Sequence, residues 1–362
     1  MHPKRFIAIL VSCCLATAAL PAAMNWMLDP TGLLHVAGFR AASVCAPGLR
    51  GDEVAVKTLA ARFARPKTLL VGTSQVARGL DPDNLPPDWS EGGAFNLGIS
   101  GANLRTLASV LPHVIHTGHT ERIVLGLTPG LMLRKRMNPG SVSTPLNWTV
   151  KLLFTALLSR QAFEEGLRML RTPSACSSSL SRFDGLRQPV QSRAPEARNE
   201  QIRLRIEEAV RSGTPTYGRS DLTALLDDLC GRGVKVFIAI MPHPVQWHMA
   251  YWETAGGWHW LERFKMDVVG AADALRKSGC SIPVQDFSTV ELANYAAASK
   301  LPLFVDYVHF SPILGRDLLR TVTSGGAADA DSAIGRTINS QNISAYLAAQ
   351  RALMDEVFKD RR

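Results

Sequence analysis

The 362-residue chain has no block of like charge. Its 40 Lys and Arg against 31 Asp and Glu give a net charge of +9, with the arginines spread along the whole length. No nucleic-acid motif accompanies that charge. It reads as a basic solvated surface that attracts anionic surfaces or polyanionic glycans, and nucleic acid is not an expected partner. There is no internal repeat, which excludes solenoids and propellers. The six cysteines have no metal-ligand spacing, and His116 and His119 lack a third ligand, so neither a metal nor another cofactor is expected. After the first 30 residues no segment is long and apolar enough to span a bilayer, so the chain crosses a membrane once at most. What remains is ordinary globular composition, 46% apolar and 20% charged, enough for one large α/β core with an insertion.

The N-terminus is the first informative segment. Lys4 and Arg5 precede an uncharged apolar run from Phe6 to Met24. Its length matches a bilayer span, and the positive flank puts the N-terminus in the cytoplasm and the remainder outside. The expected arrangement is a single-pass membrane protein, anchored in the lipid through residues 6–24, with the rest of the chain on the extracytoplasmic side. A cleaved signal peptide is the alternative, with Ala16-Thr17-Ala18 as its processing site, and continuation of the run to Met24 favours an uncleaved anchor. Leu10-Val11-Ser12-Cys13 also fits a lipoprotein processing box, after a short apolar stretch. Outside the anchor, Cys45, Cys176, Cys230 and Cys280 can form up to two disulfides in an oxidising compartment, with the pairing open.

Beyond residues 1–24 the pattern divides into a stalk at 25–64, an α/β domain at 65–323 with a helical and loop insertion at 132–218, and a linker with a C-terminal helix at 324–362. Short apolar runs at 67–72, 94–97, 122–127, 234–241 and 282–287 read as buried parallel strands. Helix-period segments at 104–116, 221–232 and 260–277 lie between or beside them, and residues 52–64, 152–158, 162–170 and 342–358 also read as helical. Strands alternating with helices predict a parallel sheet covered on both faces, with chemistry at the carboxyl ends of the strands.

Three segments carry candidate chemistry. Ser74 follows the first strand at the start of a helix, where backbone N–H groups face a developing oxyanion and a base is needed to activate the hydroxyl. As a lone feature it is an N-cap serine. Phe95 to Leu104 follows the second strand: Gly98 and Gly101 permit close backbone approach, Gly101 offers an N–H, and Asn103 reads as a cap or a donor. Near the end, Asp306 and His309 stand three apart on a turn, so the carboxylate can meet one imidazole nitrogen and leave the other as a general base.

Together, in this order, the three segments resemble the blocks of the SGNH (GDSL-like) hydrolase superfamily over roughly residues 65–320, with Gly98-Ile99-Ser100-Gly101 similar to its second block. The resemblance implies a three-layer α/β/α, flavodoxin-like sheet. It also implies Ser74 as nucleophile and oxyanion donor, His309 as base, Asp306 as its orienting acid and Gly101 as a second oxyanion donor. One departure stands out. Where the superfamily's third block supplies an oxyanion asparagine, this chain has Thr128, so Thr128 or Asn103 must substitute or the site is weak. The Gly72-Thr73-Ser74-Gln75-Val76 elbow lacks the second glycine of the α/β-hydrolase signature.

An anchor followed by these blocks is similar to extracytoplasmic acyltransferases of envelope polymers, the alginate O-acetylation and teichoic acid D-alanylation proteins. Leu28-Asp29-Pro30-Thr31-Gly32 and Phe237 to Pro244 strengthen that likeness. It implies an acyl group, acetyl by analogy, taken from a membrane-bound O-acyltransferase partner and passed to a glycan hydroxyl. An envelope esterase and a non-catalytic binding or assembly protein are the alternatives. His243 and Trp247 are expected to line the pocket, and Trp247, Trp252, Trp258 and Trp260 crowd the loop after the fourth strand.

Overall fold

The computed structural model describes residues 3–30, 32, 53–116, 118–132, 160–171, 182, 186, 199–211, 218–293, 303–325, 334–357 and 359. In chain order the first elements are α1 (Pro3–Leu28), α2 (Glu53–Ala64), β1 (Thr68–Gly72), α3 (Ser74–Gly79), β2 (Ala94–Gly98), α4 (Leu104–Ile115) and β3 (Arg122–Leu127). Then come α5 (Arg160–Arg171), α6 (Asn199–Arg211), α7 (Arg219–Gly231), β4 (Lys235–Ile240), α8 (Val245–Glu253) and α9 (Gly257–Ala274). The chain closes with β5 (Val284–Asp286), α10 (Pro312–Thr323), β6 (Arg336–Ile338) and α11 (Ile343–Val357).

The chain divides into two compact units, one of residues 1–64 and 140–188, the other of 65–139 and 189–362. In the first unit α1 and α5 pack closely at Gly166, where a Cβ would meet Met24 Cε at 3.1 Å. Phe6, Ile7, Ile9, Leu10 and Val11 of α1 are exposed. The apolar run expected to span a membrane is therefore helical. Among the described residues, however, no helix is long and apolar enough to cross a membrane, the side chains of residues 14–16, 18 and 20 lying outside that description. Residues 152–158 and the Cys45 and Cys176 positions also lie outside it.

The second unit is built on one six-stranded sheet, ordered β2-β1-β3-β4-β5-β6. The first five strands pair in parallel, and β6 is antiparallel to β5. Every residue of β1 is buried, and all but the first of β3, so both faces of the sheet centre are covered. Register aligns the carboxyl ends: Gly72 pairs with Gly98, Leu127 with Ile240, and Ile240 with Asp286. Ser74, Gly101, Thr128, His243 and Ser288 each follow one of these ends, so the topology gathers them along one edge. The order 2-1-3-4-5 reverses between β1 and β3, the crevice where such sheets bind ligands.

Leu70 of β1, Val124 of β3 and Ala239 of β4 share one core cluster with Val76 of α3 and with Leu314 and Leu318 of α10. The seat of α3 is unusually close. A Cβ on Gly98 would run into the Ala77 amide nitrogen, and one on Gly315 into the Gly79 carbonyl oxygen. Asn96 of β2, fully buried, donates to the carbonyls of Val76 and Leu80, both at 2.7 Å, and accepts from Gly98 N at 2.9 Å. One amide thus ties the helix to the strand.

Three features differ from the sequence expectation. The stretch after β4 is helical: Trp247 and Trp252 lie on α8 and Trp258 and Trp260 on α9, because the chain restarts a helix directly after Pro244. Asn199–Arg211 forms a helix inside the insertion, beyond the two stretches, 152–158 and 162–170, read as helical there. Strand β6 was not foreseen, three residues being too few to show alternation. Cys230 and Cys280 form a disulfide.

Gly98→Ala should destabilise the protein by about 1–3 kcal/mol, since a backbone nitrogen cannot yield as a side-chain tip can. Chemical denaturation of the two proteins measures it.

Candidate active site

Thr73, extended at φ −92°, ψ −163°, is the N-cap of α3 and makes no side-chain cap hydrogen bond, and Ser74 is the first residue of the helix. Ser74 thus stands one residue past the N-cap position that serine commonly takes. The facing turn is built by its own sequence. Phe304 and Phe310 form an isolated bridge, and Val305 N donates to His309 O at 2.9 Å. Inside it Asp306 Oδ1 accepts from Val308 N at 2.7 Å and His309 N at 2.8 Å. Ser311 and Pro312 then start α10.

That fold of the turn leaves Asp306 Oδ2 at 2.7 Å from His309 Nδ1, and His309 Nε2 at 2.9 Å from Ser74 Oγ. A carboxylate only accepts, so in the neutral ring Nδ1 carries the proton and Nε2 presents its lone pair to the serine. Burial pushes the Asp306 carboxyl upward, but the His309 ring and the two backbone N–H donors outweigh it and hold it down to about 2. Arg78 of α3 approaches the same Oδ2 at 3.8 Å. The arrangement can take a proton from a hydroxyl, hold an imidazolium, and return the proton to a leaving group.

The expected oxyanion donors lie on neighbouring turns. Gly101 sits at φ +71° with open space at its Cβ position, so its backbone conformation is what demands glycine. Asn103 caps α4, its Oδ1 accepting from Thr106 N at 2.9 Å, which leaves its NH₂ group as the donor. Thr128 Oγ1 accepts from Leu131 N at 3.3 Å, and its own proton is still available to give. The side-chain hydrogen bonds of Asn103 and Thr128 are local to their turns, and neither bonds to Ser74, His309 or Asp306.

Of the two residues expected to line the pocket, His243 follows β4 and Trp247 lies on α8. His243 is 6% exposed, with Nδ1 3.3 Å from Ser288 Oγ, and burial, aided by Lys265, lowers it to about 3. His248, also buried, is lowered well below its usual value by the same two causes together with His243. Both rings stay neutral at ordinary pH. Trp247 Nε1 donates to the carbonyl of Tyr307 at 2.7 Å, which ties it to the Asp306–His309 turn.

Sequence reasoning missed a buried network behind His243. Lys265 Nζ lies 2.7 Å from Asp286 Oδ2 and donates to Ser288 O at 2.7 Å. Tyr346 Oη donates to the same Oδ2 at 2.7 Å, and Ser288 N donates to Oδ1 at 2.8 Å. Burial and the Asp286 charge raise Tyr346 well above its usual range, so it remains a donor. The available signals were an Asp closing a short apolar strand and a Lys in the helix that precedes it. Neither names a partner.

No protein-family model matches the chain, and no curated protein matches it. Among solved structures it is similar to a Bacteroides fragilis protein provisionally described as an acylhydrolase, at 10% identity and a TM-score of 0.30, over 77% of this chain and 87% of that one. So distant a likeness leaves the fold to be read from strand order and the chemistry from the hydrogen bonds.

Asp306 ionises more readily folded than unfolded, so it stabilises the protein above about pH 4, its unfolded value, and that contribution is lost as pH falls through about 2. Asp306→Asn should flatten the stability profile over that window by about 1–2 kcal/mol, allowing for solvent screening. Denaturant titrations at a series of fixed pH values read the difference.

Proposed function

We propose that the protein is a serine-dependent acyl-transferring enzyme that works through an ester on Ser74. The observation that carries this is the unbroken chain from Asp306 Oδ2 to His309 Nδ1, and from His309 Nε2 to Ser74 Oγ, at 2.7 Å and 2.9 Å. His309 takes the Ser74 proton as Oγ attacks an acyl carbonyl, and Asp306 stabilises the resulting imidazolium. Collapse of the tetrahedral intermediate passes that proton to the leaving oxygen and leaves the acyl group on Ser74. An acceptor hydroxyl, deprotonated by His309, then attacks the ester, forms the new ester bond and frees Ser74. Gly101 N–H, the Asn103 amide and the Thr128 hydroxyl are the proposed donors to the oxyanion.

The proposed acceptor is a hydroxyl of a cell-envelope polysaccharide, and the proposed acyl group is acetyl, delivered by a membrane-bound O-acyltransferase. The sequence likeness to envelope acyltransferases supports this reading, as do the basic balance of the chain and the exposed apolar residues of α1. The Cys230–Cys280 disulfide fits an extracytoplasmic compartment. With water as acceptor the same chemistry is that of an esterase.

Fluorophosphonate labelling of the purified protein should fall by about 10³-fold or more in Ser74→Ala and in His309→Ala. Labelling independent of Ser74 would sink the catalytic reading. Release of free acetate from an acetyl ester, unchanged by added oligosaccharide, would assign hydrolysis in place of transfer.

Membrane attachment through residues 6–24 predicts retention of the expressed chain in the membrane fraction after alkaline carbonate extraction, and release of a chain lacking them. Recovery of the intact chain in the soluble fraction would contradict it.

A further inference from the structure

The turn that presents His309 is gripped from outside at two successive peptide groups. Trp247 of α8 donates to the carbonyl of Tyr307 at 2.7 Å. Gln75 of α3 donates through Nε2 to the next carbonyl, Val308, at 2.7 Å, and through the same nitrogen to the carbonyl of Pro242, beyond β4, at 3.2 Å. These are the two residues between Asp306 and His309. Their carbonyls are engaged by elements that flank the turn from different strands of the sheet.

Gln75 is 1% exposed, and its Oε1 is buried without a hydrogen-bond partner. Leaving that oxygen unmatched is costly, so the donor end of the amide must account for the residue's placement. Carbonyls only accept, which fixes the orientation: the NH₂ group has two protons for two carbonyl oxygens. No carboxylate, thioether or hydrocarbon of that length can make both bonds. Gln75 also follows the serine directly in sequence, so one helical turn carries both Ser74 and a hold on the segment that ends in its base.

We propose that Gln75 and Trp247 are positioning residues, a two-point clamp that fixes the His309 ring relative to Ser74. The clamp makes the Ser74–His309 distance a property of the scaffold, independent of the weak hydrogen bond between the two side chains. The inference rests on the serine reading above for its catalytic consequence, though the geometry of the turn can be tested without catalysis. Displacing a reacting group by about 1 Å costs up to about 10²-fold in rate.

The test uses the full-length protein with Gln75→Met, Gln75→Glu and Trp247→Phe, each verified as folded by circular dichroism. Two quantities are read: the fluorophosphonate labelling rate at saturating probe with its half-saturating concentration, and the low-field proton resonance of the His309 Nδ1–Asp306 hydrogen bond. Gln75→Met should slow saturated labelling about 10- to 100-fold with the half-saturating concentration unchanged, and broaden the resonance. Gln75→Glu should be worse, since it sets a carboxylate against two carbonyls, and Trp247→Phe should be milder. Folded variants that label at the wild-type rate and keep a sharp resonance would overturn the clamp. If Gln75→Met does not fold, Trp247→Phe and Gln75→Asn carry the same test. If the parent protein does not label at all, the serine reading fails separately and the resonance alone decides the clamp.

Discussion

A helix of six residues, Ser74–Gly79, lies so close to β2 and α10 that side chains are excluded from the contact. Gly98 and Gly315 create the space, and Asn96 holds the helix there by bonding the carbonyls of Val76 within it and of Leu80 just after it. Everything at the carboxyl edge depends on that seat. Ser74 and His309 are separated by 235 positions in sequence, yet they meet at 2.9 Å only if α3 neither slides nor tilts. A helix this short has little cooperativity or dipole of its own, so its placement comes from packing, from Asn96 and from the bonds of Gln75 to Val308 and Pro242.

The edge also sorts its ionisable groups by environment. Asp306 keeps its charge because three hydrogen bonds replace the water it loses. Asp286, fully buried, keeps company with a lysine, a tyrosine hydroxyl and a backbone N–H. Between them His243 and His248 are neutral, short of water and beside a cation. Among these three imidazoles, His309 alone has a carboxylate on one nitrogen and a hydroxyl on the other. The neighbouring histidines therefore do not compete for the role of base proposed for His309; their surroundings keep them from taking up a proton.

How much of this was legible follows from how far each signal reaches along the chain. The central strands are apolar runs on a sheet buried from both sides, so β1 and β3 stand out from composition alone. The Asp306–His309 turn is equally local, since the aspartate bonds to N–H groups two and three residues ahead. Gln75, Asn96 and Trp247 were not legible, because each acts on carbonyls remote in sequence and nothing in its own neighbourhood announces that partner. Lys265 and Asp286 are silent for the same reason, being 21 residues apart by number and adjacent only in space. The helix after Pro244 was hidden by its aromatics, which read as readily for a loop as for a packed surface.

The antiparallel strand β6 and Tyr346 belong to the last stretch of chain, yet they complete features begun much earlier. Val284 pairs with Ile338, and Asp286 receives the tyrosine hydroxyl from α11. A polypeptide emerging from its N-terminus has β1 to β5 in hand well before these pieces arrive, with the free side of β5 unpaired and the Asp286 carboxylate one donor short. Pairing of this edge of the sheet and completion of the Asp286 network thus wait on residues 336–346.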